Sequence, residues 1–124
     1  MSLLEKVSEL SQLIVKGETV KAMELYYAEA VIMQENEDEP RKGKGACIEH
    51  ERGILKKTRA NSARLLNQAI DEPNGIVFSE WEYIFVSHTG TNLKLTEVSI
   101  QQWTNGLIVN EKFYYKEIQK MGRA

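Results

Sequence analysis

Thr96-Glu97-Val98-Ser99-Ile100-Gln101-Gln102-Trp103-Thr104-Asn105-Gly106-Leu107-Ile108-Val109-Asn110-Glu111-Lys112-Phe113-Tyr114-Tyr115 reads as a β-hairpin. Two runs rich in β-branched and aromatic residues flank Asn105-Gly106, a pair that accepts the positive φ angles of a two-residue hairpin turn at little cost. Alternation puts Val98, Ile100 and Gln102 on one face of the first run and Glu97, Ser99, Gln101 and Trp103 on the other. On the second run Glu111, Phe113 and Tyr115 share a face, and Lys112 and Tyr114 share the opposite one. Neither strand has a plainly polar face, so both sides of the sheet need cover. Helices are expected on one side and a second copy of the chain on the other.

Outward from the hairpin, period-two alternation extends back to Ser62. A strand is expected over 64–70, a turn at Glu72-Pro73-Asn74-Gly75, a long strand over 76–88, a turn at 89–92 and strands over 93–103 and from 107 to about 118. Before Ser62 the period is helical. Leu3, Val7, Leu10 and Ile14 repeat on one stripe, Ser2 and Glu5 form a capping box, and Gly17 closes the helix. Thr19 caps a second, short helix through Tyr27. A short strand over 30–34, an acidic loop from Glu35 to Pro40 and a third helix over about 46–58 follow. Helices first and a long meander after give an α+β domain. Long twisted strands curl, so a cone-shaped curved antiparallel β-sheet wrapped over the N-terminal helices is expected.

The chain has 124 residues, enough for one domain (1–124) with a single core. Its net charge of −2 argues against nucleic-acid binding, and its small basic run, Lys56, Lys57 and Arg59, is better explained as a solvated helix end. No apolar run reaches the ~18 residues of a membrane span, and the N-terminus does not read as a secretory signal. One cysteine, Cys47, permits no internal disulfide. A cytoplasmic protein without membrane attachment is the expectation.

Leu25-Tyr26-Tyr27-Ala28-Glu29-Ala30-Val31-Ile32-Met33-Gln34-Glu35, the later Glu39-Pro40-Arg41-Lys42-Gly43 and the hairpin around Trp103-Thr104-Asn105-Gly106-Leu107-Ile108 carry a resemblance. The chain resembles the SnoaL-like branch of the nuclear transport factor 2-like superfamily, whose cystatin-like α+β roll also serves ketosteroid isomerase, polyketide cyclases and limonene epoxide hydrolase. The two-faced hairpin leads to the expectation of a homodimer, and the resemblance implies a pocket for a small apolar or amphipathic molecule. It places Glu35 at the catalytic base position of the isomerase. The isomerase's oxyanion-hole tyrosine and protonated aspartate fall near Leu10 and Ile100, which donate no hydrogen bond, so ketosteroid isomerisation itself is excluded. No aspartate stands in the final hairpin, where a cyclase would need its acid.

Glu35 is therefore the candidate general acid/base, because an apolar pocket disfavours a carboxylate's charged form and raises its pKa. The alternative is a solvated loop acid beside Glu37, Asp38 and Glu39. His50, on the stripe of the third helix, is the candidate partner in proton transfer, and its alternative is a packed core histidine. Tyr83, Ile100, Gln102, Phe113 and Tyr115 are the candidate pocket lining, Gln102 as a polar anchor. A one-residue shift in register would exchange the faces. Cys47, His50 and Glu51 supply too few ligands for a metal site, and no motif implies a cofactor. The chain reads either as an enzyme of the isomerase, cyclase or hydrolase kind or as a non-catalytic binding module of the same fold.

Overall fold

The structure, a computed structural model, describes residues 1–116 and 119–123. The first helix, α1 (Leu3–Val15), begins on the expected capping box, with Ser2 and Glu5 each satisfying the other's backbone N–H. Gly17, at φ 83°, turns the chain into α2 (Thr19–Tyr26). Val7, Leu10, Leu13, Ala22 and Met23 are buried on the shared face of the pair. The chain then passes directly into β1 (Tyr27–Glu35), so Tyr27 is strand where the sequence reading ends the helix on it, and the strand begins three residues before the expected Ala30. Aromatic and β-branched residues fit the pleated surface, and here tertiary pairing overrides local helix propensity.

A short β2 (Arg41–Lys42) precedes α3 (Lys44–Lys57), which runs without a linker into β3 (Thr58–Asp71). The meander follows as β4 (Ile76–Ser87), β5 (Thr91–Thr104) and β6 (Leu107–Tyr115). A last strand, β7 (Gln119–Arg123), pairs with the start of β5. The expected final strand to about Ile118 ends at Tyr115, and residues 117 and 118 lie outside the described residues. Asn105 and Gly106 take φ of 52° and 79°, as a two-residue hairpin turn of this kind requires.

One sheet contains all seven strands in the order β2-β1-β6-β5-β4-β3, with β7 off the end of β5. The expected antiparallel sheet is corrected to a mixed one, because β1 lies parallel to β6. A hairpin would force antiparallel pairing, but the whole of α3 and the meander separates these two strands, and a long crossover leaves the direction free. The sheet curls into a half-barrel, a cone of the α+β class. Bulges in β3, between Leu65 and Asn67, and in β6, at Val109 between the partners of Trp103 and Gln102, accompany the curvature.

Helices α1 and α2 close one end of the cone. Val77, Trp103 and Ile108 meet Val7, Leu10, Met23 and Tyr26 there, and Val77 and Ile108 have no exposed surface. At the other end Tyr83, Phe85, Leu93, Leu95, Phe113 and Tyr115 are only partly buried, so the inner face is open there. No described helix is long and apolar enough to cross a membrane.

Candidate functional site

The register decides which side chains face inward. Cross-strand partners share a face, and the pairs Ser99–Phe113, Gln101–Glu111, Glu97–Tyr115, Trp81–Glu97 and Tyr83–Leu95 all stand on the concave side. Tyr83, Phe113 and Tyr115 are therefore on one face, as expected. Ile100 and Gln102 are not. Ile100 pairs with Phe78 and Lys112, and Gln102 with Ile76 and Asn110, all on the convex side. A regular two-residue hairpin would pair Ile100 with Glu111 and Val98 with Phe113, but β6 skips Val109 between Ile108 and Asn110, and this one-residue shift exchanges the faces and excludes Ile100 and Gln102. Gln102 instead anchors the β3–β4 turn, donating through Nε2 to the carbonyl of Asn74 at 2.8 Å.

Glu35 and His50 are brought together at the rim. Glu35 ends β1 and is held by Arg41 of β2 through both guanidinium arms, Nη1 to Oε2 at 2.5 Å and Nη2 to Oε1 at 2.9 Å. His50 Nε2, from α3, lies 3.9 Å from Glu35 Oε1. Burial and the Arg41 charge push the His50 imidazole below its ordinary value, against the pull of Glu35 in the other direction. Its neutral form is favoured. The Glu35 side chain is 18% exposed, so it is neither a free loop acid nor sealed in the core. The loop after it is fixed at its root. Asn36 N–H donates to the Phe113 carbonyl at 2.7 Å, and its Oδ1 accepts from Tyr115 N–H at 3.1 Å.

A second set of groups lies deeper, and the sequence reading passed over it. Glu111 is almost fully buried on β6. It accepts hydrogen bonds from the Tyr27 hydroxyl, from Ser99 Oγ at 2.7 Å and from Gln101 Nε2 at 2.8 Å. Trp103 Nε1 donates to Gln101 Oε1 at 3.0 Å, which fixes the amide so that its nitrogen faces Glu111. Burial raises the Glu111 carboxyl above the ordinary range, while the three donors pull it down. Glu97 is 8% exposed on β5 and has no hydrogen bond or ion pair among the described residues. Burial first, then the charges of Glu111, Glu35 and Glu51, push its carboxyl up to about 8. Glu51, from α3, is raised by burial as well.

The signal for these acids was present in the alternation itself. Glu97 shares its face with Trp103, and Glu111 with Phe113 and Tyr115, so an aromatic inward face carries two carboxyls with it. Among the described residues no group of three or more His, Cys, Asp or Glu side chains converges closely enough to hold a metal ion. Cys47 is buried, and its thiol is pushed up mainly by that burial. Two surface concavities, of about 460 Å³ beside α1 and β3 and about 200 Å³ on the convex sheet face, contain none of these acids.

No family model matches the chain, and no curated protein matches it. Solved structures do. A protein named as a SnoaL-like polyketide cyclase from Mesorhizobium loti has 20% identity and a TM-score of 0.72, over 93% of this chain and 100% of that one. An NTF2-like protein of unknown function from Burkholderia pseudomallei gives 12% identity and a TM-score of 0.79, over 94% and 92%. An epoxide hydrolase of the LEH-like kind from M. tuberculosis gives 9% and 0.74, over 92% and 82%. At such identities the likeness speaks for the fold. The chain has the nuclear transport factor 2-like fold, in the form found in SnoaL-like proteins.

Proposed function

We propose that this protein binds a small amphipathic molecule on the concave face between α3 and strands β4–β6 and moves a proton on it. The observation that carries this reading is the meeting of Glu35, Arg41 and His50 at the rim of an aromatic-lined opening. His50, kept neutral, accepts the proton. Glu35, oriented by the Arg41 fork, stabilises the imidazolium that forms, and the imidazolium returns the proton to a neighbouring atom of the ligand. Isomerisation, cyclisation and epoxide opening all need such a shuttle, and proteins of the same fold named as epoxide hydrolase and cyclase support this class of chemistry.

The test begins with native mass spectrometry of freshly purified protein to capture a bound small molecule, followed by turnover of that molecule by the wild type and Glu35→Gln. The amide keeps the shape and one acceptor but carries no charge. Turnover should fall by about two orders of magnitude, in line with general acid/base contributions, with affinity nearly unchanged and the variant still folded at the assay temperature. Equal turnover by the variant would leave a binding module.

The convex face supports a homodimer. Phe78, Val98 and Tyr114 are 43%, 37% and 42% exposed there, beside partly buried Ile76 and Ile100. The same face carries both charges, Glu82 lying 3.3 Å from Arg64 and 3.4 Å from Lys94. Such a face is complementary to a two-fold copy of itself. Sedimentation should show a dimer that Val98→Lys converts to a 14 kDa species. A monomeric wild type at micromolar concentration would remove this part of the reading.

A further inference from the structure

The inner acids have a property that proton transfer at the rim does not use. Three carboxyls, Glu51, Glu97 and Glu111, face one concave space from α3, β5 and β6, and each is shifted upward by burial or by the others. Two of the three have no partner among the described residues. Neither Glu97 nor Glu51 accepts a hydrogen bond from any described residue, and Glu97 is more than nine-tenths buried. The one sealed-off side-chain atom without a partner among the described residues is Arg41 Nε, so the Glu97 oxygens still reach the opening. Arg41, the cation beside Glu51, already has both its arms on Glu35. A buried carboxyl without a donor is costly unless something else supplies the counter-charge.

The neighbouring strand offers an apolar wall for the body of a ligand that carries that counter-charge. Trp81, Tyr83 and Phe85 stack as a ladder along the inner face of β4, with ring centroids 5.9 Å and 6.0 Å apart. Trp81 is the direct cross-strand partner of Glu97. An aromatic wall of this kind takes the apolar body of a ligand and leaves its charge to the carboxyl. The acids are spread too widely to chelate one metal ion, which favours a larger organic cation whose charge is diffuse.

We propose that the concave face takes an organic cation, an aryl-alkyl amine or quaternary ammonium group seated against the Trp81–Tyr83–Phe85 ladder with Glu97 as its counter-ion and Glu51 and Glu111 behind it. This rests on the concave face being the binding site proposed above, and on no proton transfer there. The titratable groups facing Glu97 are Glu111 and Tyr115 of β6, Glu35 of β1, Glu51 of α3 and Tyr83 of β4. A cation arriving among them draws the proton off Glu97.

The experiment is titration calorimetry of the full-length protein with benzyltrimethylammonium, 2-phenylethylamine and the neutral 2-phenylethanol, near pH 7 in phosphate and in Tris. Both cations should bind about tenfold or more tighter than the alcohol, a difference of ~1.4 kcal/mol. Benzyltrimethylammonium has no proton to lose, so a heat that differs between the two buffers reports a proton released by the protein. Glu97→Gln should abolish both the preference and the buffer dependence and leave the affinity for 2-phenylethanol unchanged. If that variant does not fold, Glu51→Gln should reduce the preference severalfold. Equal binding of alcohol and cations, or a preference that survives both substitutions, overturns the cation site while leaving concave-face binding intact. Binding of none of the three overturns both.

Discussion

Arg41 lies with both arms on Glu35, six residues earlier in the chain, and the short loop between them closes over the pair. Each side chain is about one-fifth exposed, so the contact is stronger than a surface ion pair and less costly than a buried one. Arg41→Met keeps the apolar stem and removes the fork. It should destabilise the fold by about 1–3 kcal/mol, because a half-buried carboxylate loses its donors. It should also raise the His50 titration midpoint, since the Arg41 charge is one of the causes holding that midpoint below 6.5. An NMR titration of the imidazole reads this directly. A midpoint that stays put would separate Arg41 from His50 electrostatically.

Glu97 makes stability depend on pH in a definite direction. Its carboxyl is raised from 4.5 to about 8 in the folded chain. Between those values the native state holds a proton that the unfolded chain has released. Stability from this group is therefore complete below pH 4.5 and declines as pH rises, by up to about 1.4 kcal/mol per unit, until it is gone above pH 8. His50 acts oppositely, losing stability as pH falls through its unfolded value of 6.5. The comparison with Glu97→Gln isolates the first effect. Urea melts across pH 5 to 8.5 should show the wild type weakening relative to the variant as pH rises, and parallel curves would contradict the assignment.

Glu111 is the centre of a closed hydrogen-bond set, and its removal should cost more than removal of any one donor. Tyr27→Phe leaves Ser99 and Gln101 on the carboxylate and should cost about 1–2 kcal/mol. Glu111→Ala leaves the Tyr27 hydroxyl, Ser99 Oγ and Gln101 Nε2 without an acceptor in a dry interior and should cost more than about 3 kcal/mol. Denaturant melts of the two variants rank them. The reverse order would mean that the carboxylate is a net burden, relieved by deletion.

Gly75 is held where no side chain fits. Its φ is 67°, and a Cβ placed there would stand 2.5 Å from the Trp103 carbonyl oxygen. Its own carbonyl accepts from Trp103 N–H at 2.8 Å, so the β3–β4 turn is clamped onto the end of β5. Gly75→Ala should lower stability by about 1–3 kcal/mol through backbone strain and a displaced turn. Gly106→Ala meets only the mobile end of Lys6 and should cost less.

The elements whose signals are local were legible in the sequence. The capping box at Ser2 and Glu5, the glycine after α1, the turn at 72–75 and the Asn105-Gly106 hairpin each announce themselves within a few residues. The helix-to-strand change at Tyr26–Tyr27 was not legible, because two tyrosines suit either state and the parallel partner for β1 lies some eighty residues away. The site was half legible. Glu35 and His50 do meet, which the resemblance implied and the spacing did not. Ile100 and Gln102 fall with Phe113 in a regular two-residue hairpin, and the bulge at Val109, which no local signal announces, moves them to the other face. Glu97 and Glu111 escaped because an acid in a strand reads as solvent-facing until its face-mates are weighed. Arg41 escaped because its partner lies across a loop, where sequence spacing carries no geometry.

The parallel seam between β1 and β6 has a bearing on how the chain comes off the ribosome. β1 is made within the first 35 residues, yet its inner edge stays unpaired until Leu107–Tyr115 has been synthesised. The helical hairpin and α3 form early from neighbouring residues, whereas closing the sheet joins one end of the sequence to the other and brings the loop-closure cost of distant contacts. The nascent chain therefore carries an open strand edge, with Tyr27, Val31 and Met33 uncovered, for most of its synthesis. Aggregation during expression should track that interval, and chains truncated before Leu107 should depend on chaperones to remain in solution.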